Sequence, residues 1–216
     1  MKKILILTIT AFIGISAEAQ HWIGIRGGYN NSDITIDRFN YRRTNSYSSI
    51  NYGLIYKLYI DKHTGIQAEL NNIKRGFSYR ENDTINIRES WELPVLGHLR
   101  LEFGNFIGFA NGGFYAGYTQ KAKYKIKSET SANEMPVPFT ERDVRFEFGF
   151  GFGGGIGFRI AKRIELQTEF RYNYGLTYLY KPKYKNERIT YIQPVSMQVS
   201  FGILYKFANI KKQNVL

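Results

Sequence analysis

Three histidines and two runs of alternating lysines are the residues in this chain best placed to do chemistry. His21, His63 and His98 are far apart, and no pair has the spacing of metal ligands. Cysteine is absent altogether. That excludes a disulfide scaffold, a thiolate metal centre, a cysteine nucleophile and a lipid-modified N-terminal cysteine. Gly149–Gly157 is glycine-rich, but it follows neither the Gly-x-x-x-x-Gly-Lys pattern nor a strand-to-helix junction, so a phosphate cradle is not expected. Lys121, Lys123 and Lys125 alternate with Ala122, Tyr124 and Ile126; Lys181, Lys183 and Lys185 alternate with Pro182 and Tyr184. Six ammonium groups of one parity could form an anion-binding rim, for lipopolysaccharide phosphate or an acidic glycan. The competing expectation is a solvated ladder paired with Glu141, Asp143 and Glu187. No catalytic residue, cofactor or metal is assigned.

The elements that must position these residues follow a period of two. In Val144–Ile160 the even positions are Val, Phe or Ile apart from Gly154, and the odd positions are Gly flanked by Arg145, Glu147 and Arg159. Similar alternation marks Trp22–Asn30, Ile50–Ile60, Gly65–Arg75, Trp91–Phe103, Phe106–Thr119, Ile164–Tyr180 and Val195–Phe207. No stretch sustains helical spacing. Three connections are tight (Asp61–Thr64, Gly104-Asn105, Ala161–Arg163). Asn31–Ser49, Gly76–Ser90, Gln120–Asp143 and Lys181–Ile189 are long and polar. Eight strands with short turns at one end and long loops at the other predict an all-β, antiparallel, up-and-down transmembrane barrel. The chain's 216 residues and mean hydropathy of −0.35 fit that reading, with no apolar run of helical membrane length.

The N-terminus sets the compartment. Lys2 and Lys3, the apolar stretch Ile4–Ile15 and the small residues Ala17 and Ala19 form a secretory signal peptide over residues 1–19. The barrel then occupies 20–207, and 208–216 form a tail. A soluble barrel with an apolar lumen is the alternative architecture. An eight-stranded barrel has room for little more than its own side chains, and the Phe and Ile of these strands would overfill it. They are therefore expected to face lipid. The inward face then carries charges of nearly balanced sign: Arg26, Lys57, Glu69, Glu92, Arg100, Glu102, Arg145, Glu147, Arg159, Glu165, Glu169 and Arg171. Paired across strands, these would plug the lumen. On the same parity the lysine runs would point to the mouth.

Several stretches resemble the PorT-like outer-membrane β-barrel family of Bacteroidota: Gly24–Ser32, Gln67–Gly76, Trp91–Leu96, the Gly149–Phe158 strand, Phe170–Gly175 and the closing Tyr205-Lys-Phe207. The likeness spans residues 20–207, and the tail after Phe207 departs from it. It implies an integral outer-membrane protein, with some members linked to protein secretion. The expected role is a non-enzymatic, monomeric barrel with a structural or partner-docking function. Its expected partners are outer-membrane lipid, lipopolysaccharide and envelope or secretion proteins, not nucleic acid. A small pore or a lipid A-modifying enzyme is the alternative.

Overall fold

The computed structural model describes residues 20–36, 44–79, 84–126, 134–181 and 192–207. The expected signal peptide (1–19), the tail (208–216), Lys183, Lys185 and Glu187 lie outside the described residues. The elements are β1 (Gln20–Ile36), β2 (Thr44–Tyr59), β3 (Thr64–Tyr79), β4 (Thr84–Phe103), β5 (Phe106–Ile126), β6 (Met135–Val137), β7 (Phe146–Ala161), β8 (Ile164–Gly175) and β9 (Ile192–Lys206). Eight long strands pair antiparallel with their sequence neighbours. β1 closes the barrel against β9, from Trp22 opposite Lys206 to Ile36 opposite Ile192. Closure leaves no unpaired sheet edge in the wall, which is what a bilayer requires of a spanning sheet.

Alternation sorts the faces as expected. Phe201 is 65% exposed and Ile156 69%, whereas Arg171 and Glu169 are each 1% exposed. The large apolar side chains therefore stand on the outside and the charged ones fill the centre. Outward rings pack along the wall, Phe114 on Phe148 at 5.7 Å and Phe152 on Tyr172 at 5.5 Å. Inward glycines on β7 leave space for rings: a Cβ on Gly149 would lie 2.6 Å from the Tyr115 ring, and one on Gly155 2.6 Å from that of Phe109. Short turns join strands at one end, where the Asp61 carboxylate accepts the backbone N–H groups of His63 (2.6 Å) and Thr64 (2.7 Å). Gly104 adopts a φ of +64° in the β4–β5 turn, a conformation glycine adopts without steric penalty.

At the other end the strands outrun the sequence reading. A membrane crossing needs about 9–11 residues per strand, yet β4 has 20 and β5 has 21. Much of the polar sequence read as loop is therefore strand standing above the membrane. β6, which the alternation did not reveal, extends this wall by pairing with Ala122–Tyr124. Ile164–Tyr180 is not one strand: β8 ends at Gly175, and Leu176–Tyr180 continue irregularly along the wall, Tyr180 bridging Asp143, with Leu176 and Tyr178 exposed and Leu179 buried. There Leu176 and Thr177 N–H groups both donate to the Phe148 carbonyl, at 2.8 and 3.3 Å.

Two irregularities shape the upper wall. The β2–β3 register shifts between Ser46 and Tyr52. β1 reaches across that gap, where the Ser32 hydroxyl donates to the Gly76 carbonyl (3.1 Å) and accepts the Gly76 N–H (2.9 Å). The second shift lies in β4–β5: Ser90 is opposite Thr119, but Glu89 is opposite Lys121. Gln120 is thus an extra residue, a β-bulge.

Candidate functional site

The lumen is a plug of ion pairs. Among the described residues, five buried cations (Arg26, Lys57, Arg75, Arg100, Arg171) face five buried carboxylates (Glu69, Glu92, Glu147, Glu165, Glu169). They lie in layers. In the middle layer Glu69 binds Arg171 through both oxygens, at 2.6 and 2.9 Å, and Arg26 at 2.5 Å. Arg171 also pairs with Glu169. In the upper layer Arg75 bridges Glu92 (2.5 Å) and Glu147 (2.7 Å), and the Tyr115 hydroxyl donates to Glu147 at 2.6 Å. In the lower layer Arg100 sits 3.4 Å from Glu165 and lies over the rings of Tyr59 and Trp22. Lys57 donates to Gln167 at 2.6 Å, and His98 shares a hydrogen bond with the Tyr59 hydroxyl at 3.1 Å.

Removing charges from water costs several kcal/mol per ion, and only close geometry with saturated hydrogen bonding offsets it. That explains why inward residues between the ions are Asn, Gln and Ser. Asn71 and Gln67, for instance, both donate to Glu69.

The mouth above this plug is shut by apolar packing. Ile34, Phe77 and Leu179 form a buried cluster with Tyr180 and Ile192 against it. Arg88 fastens the segment that carries Leu179, donating to Asp143 (2.8 Å) and to the Val144 and Leu179 carbonyls (3.0 and 3.3 Å), and lies over the Tyr180 ring. The space left between Phe77, Arg75, Glu147 and Leu179 is about 20 Å³, room for roughly one water. A far larger concavity, about 730 Å³, lies on the outer wall among Ile25, Phe158, Leu166, Phe201 and Ile203, where lipid chains pack.

Most of the expected inward residues are in the lumen, but Lys121, Lys123 and Lys125 are not. Had β5 stayed regular, Lys121, Lys123 and Lys125 would have followed Thr119's parity inward. The bulge at Gln120 reverses it, because a one-residue slip moves every later side chain to the other face. Lys121 then lies opposite Glu89, on the outside. Lys123 contacts Glu89 (2.7 Å) and Glu134 (2.8 Å), and Lys74 reaches the same two at 3.1 and 3.3 Å. These two hydrogen bonds raise the Lys123 pKa, and the bond from Lys123 to Glu134 lowers that carboxyl's.

Of the partners expected for the lysines, Asp143 serves Arg88 instead. Arg145 also departs from the inward set, its guanidinium lying 4.7 Å over the outward Tyr118 ring and 4.5 Å over Phe139. Lys181 is exposed, its N–H donating to the Arg142 carbonyl at 2.8 Å. Arg75 and Arg88 were missed. Each keeps the inward parity of its own strand, Arg75 with Glu69 and Arg88 with Glu92; Arg75 is the last residue of the strand read from the sequence, and Arg88 lies in the stretch read as loop.

Solved structures are similar to this chain. The chain is similar to the outer membrane protein OprG from Pseudomonas aeruginosa, at 12% identity over 89% of this chain and 98% of that one, with a TM-score of 0.53. It is also similar to Neisserial surface protein A, at 9% identity over 86% and 97% with a TM-score of 0.49. Ail, the attachment invasion locus protein of Yersinia pestis, matches at 14% identity over 87% and 99%, with a TM-score of 0.43. Among curated protein sequences none matches significantly. At such identities the OprG likeness establishes a closed eight-stranded outer-membrane barrel fold and nothing finer. The profile of the outer membrane protein β-barrel domain matches residues 18–181, most of the chain, and the chain belongs to that family.

Proposed function

We propose that this protein is a non-enzymatic outer-membrane barrel that holds and docks rather than conducts. It acts as a monomeric structural element of the cell envelope, in the PorT-like branch of Bacteroidota, exported by a signal peptide cleaved after Ala19. Its docking partners are envelope or secretion proteins, and its setting is outer-membrane lipid. The observation that carries this reading is the filled lumen: five cations neutralised by five carboxylates, capped by Ile34, Phe77 and Leu179. A conducting pore keeps a continuous polar path, whereas here every layer is occupied by paired side chains. The absence of enzymatic activity is argued from His98, which is enclosed among Tyr59, Lys57 and Phe109 away from both lipid and solvent. A general base has to reach its substrate within hydrogen-bonding distance.

Two measurements test the reading together. Purified protein in planar bilayers should give no stepwise conductance, and incubation with lipid A should release no acyl chains. Steady single-channel steps, or released acyl chains, would overturn it. Crosslinking in native envelopes should in turn capture a protein partner.

A further inference from the structure

Above its aromatic girdle the outer wall of the barrel carries an uneven charge. The girdle on this side includes Trp91 and Tyr118, cross-strand partners that both face outward. The Gln120 bulge follows at once, and it places Lys121, Lys123 and Lys125 on the outside. Lys121 then stands about 7–10 Å further along the strand than Tyr118, at about 3.3 Å per residue. That is the height at which lipid head groups meet the wall.

Lys74, Glu89, Lys123 and Glu134 form a closed quartet of two ammonium and two carboxylate groups, so their charges cancel. Lys121 and Lys125 form no ion pair among the described residues. Arg145 lies alongside, its Nε donating to the Thr119 carbonyl at 3.2 Å, and its guanidinium rests on Tyr118 and Phe139 rather than on a carboxylate. Among the described residues this stretch of wall, from β3 to the start of β7, therefore keeps three cations without a carboxylate partner. Glu141 and Arg142 in the turn above offset each other. On the opposite wall at the same height, β1 offers Asn31 and Asp33, paired with Met197 and Val195 of β9. No cation faces outward there among the described residues.

We propose that Lys121, Lys125 and Arg145 form a site on the outer wall for the phosphate groups of an anionic lipid of the outer leaflet. The neutral quartet keeps the wall strands together, and the three free cations are left for the ligand. A lipid is the occupant because the cations continue directly from the lipid-facing Trp91 and Tyr118. A molecule whose chains lie in the bilayer and whose phosphates sit at its surface meets both at once. A free phosphate would meet only exposed charges, screened over about 8 Å at 0.15 M salt. Basic residues beside a membrane contribute to such binding individually and roughly additively.

The test uses the full mature protein in detergent, probed with diphosphoryl lipid A and with its dephosphorylated form, retention being read by native mass spectrometry. Wild type should retain the diphosphoryl form at least tenfold better than the dephosphorylated one, and less of it as salt rises. K121Q/K125Q should bind it roughly thirtyfold more weakly. K121R/K125R should bind like wild type, and K62Q/K162Q, altered in turns at the opposite end, should be unaffected. All three variants should keep heat-modifiable gel migration, since none of these side chains belongs to the buried ion-pair plug. K125Q alone, with a smaller loss, serves if the double variant does not fold. Equal retention by wild type and K121Q/K125Q would overturn the site. Equal retention of the dephosphorylated form, or displacement by inorganic phosphate at the lipid's own concentration, would overturn the lipid as its occupant.

Discussion

Glu69→Gln should be among the most damaging single substitutions in this barrel, though it changes one oxygen to one nitrogen. Glu69 Oε1 accepts Arg26 (2.5 Å) and Arg171 (2.6 Å), and Oε2 accepts Arg171 (2.9 Å) and Asn71 (2.7 Å). Every neighbour of the carboxylate is a donor, so either orientation of a Gln amide turns N–H groups towards N–H groups. The lumen is left with five cations and four carboxylates, and Glu169 must serve both arginines. Breaking a buried pair by removing one partner costs about 3–5 kcal/mol, or roughly two to four powers of ten in the folding equilibrium. Glu102→Gln is the control. Glu102 pairs with Arg159 at 2.8 Å and with the buried Arg100 at 2.5 Å, but its side chain is 37% exposed and Arg100 keeps Glu165 at 3.4 Å, so its loss should cost only about 1 kcal/mol. Urea titration of both variants in lipid vesicles, followed by tryptophan fluorescence, reads the difference. If the two midpoints shift equally, the lumen is wet enough to screen its charges, and the plug does not hold the barrel closed.

Phe201→Arg should reduce the folded, heat-modifiable band on gels, since Arg on the lipid face near mid-membrane costs roughly 2–4 kcal/mol; normal folding would mean Phe201 does not face lipid. Gly155→Val should destabilise the barrel by about 1–3 kcal/mol through overpacking, because its side chain would meet the Phe109 ring and the Thr168 carbonyl; thermal melts check this, and Phe109→Ala should partly relieve it. Glu134 predicts a pH dependence. Its folded pKa is lowered by the hydrogen bond from Lys123, so its stabilisation is present above its unfolded pKa, about 4.3. It is lost as pH falls through the lower folded value. Glu134→Gln should therefore be at most about 1 kcal/mol less stable than wild type at pH 7, and the gap should close below pH 4. A gap of constant size would show that Glu134 acts through packing rather than charge.

Alternation made the wall legible because lipid and lumen pull on opposite faces of every strand, so Phe146 to Ile160 and Glu165 to Arg171 declare their sides residue by residue. The charge network was legible for the same reason: a residue such as Glu169 between outward neighbours has nowhere to go but inward, and then needs an arginine. What escaped lies above the membrane, where water wets both faces and alternation no longer carries a penalty. There Thr84–Ser90 reads as loop but is strand, because backbone pairing with β3 and β5 needs no apolar pattern. There too a single inserted residue is invisible. The lysines at 121, 123 and 125 keep a perfect period of two, and sequence spacing alone assigns them to Thr119's face. Only the pairing of Glu89 with Lys121, one residue out of step with Ser90 and Thr119, reveals that the face has changed. The bulge matters more than the lysines themselves. It takes three cations that would have crowded a closed mouth, already shut by Leu179 and held by Arg88, and turns them to the outside wall. There Glu89 and Glu134 neutralise one of them, and the other two form no ion pair among the described residues.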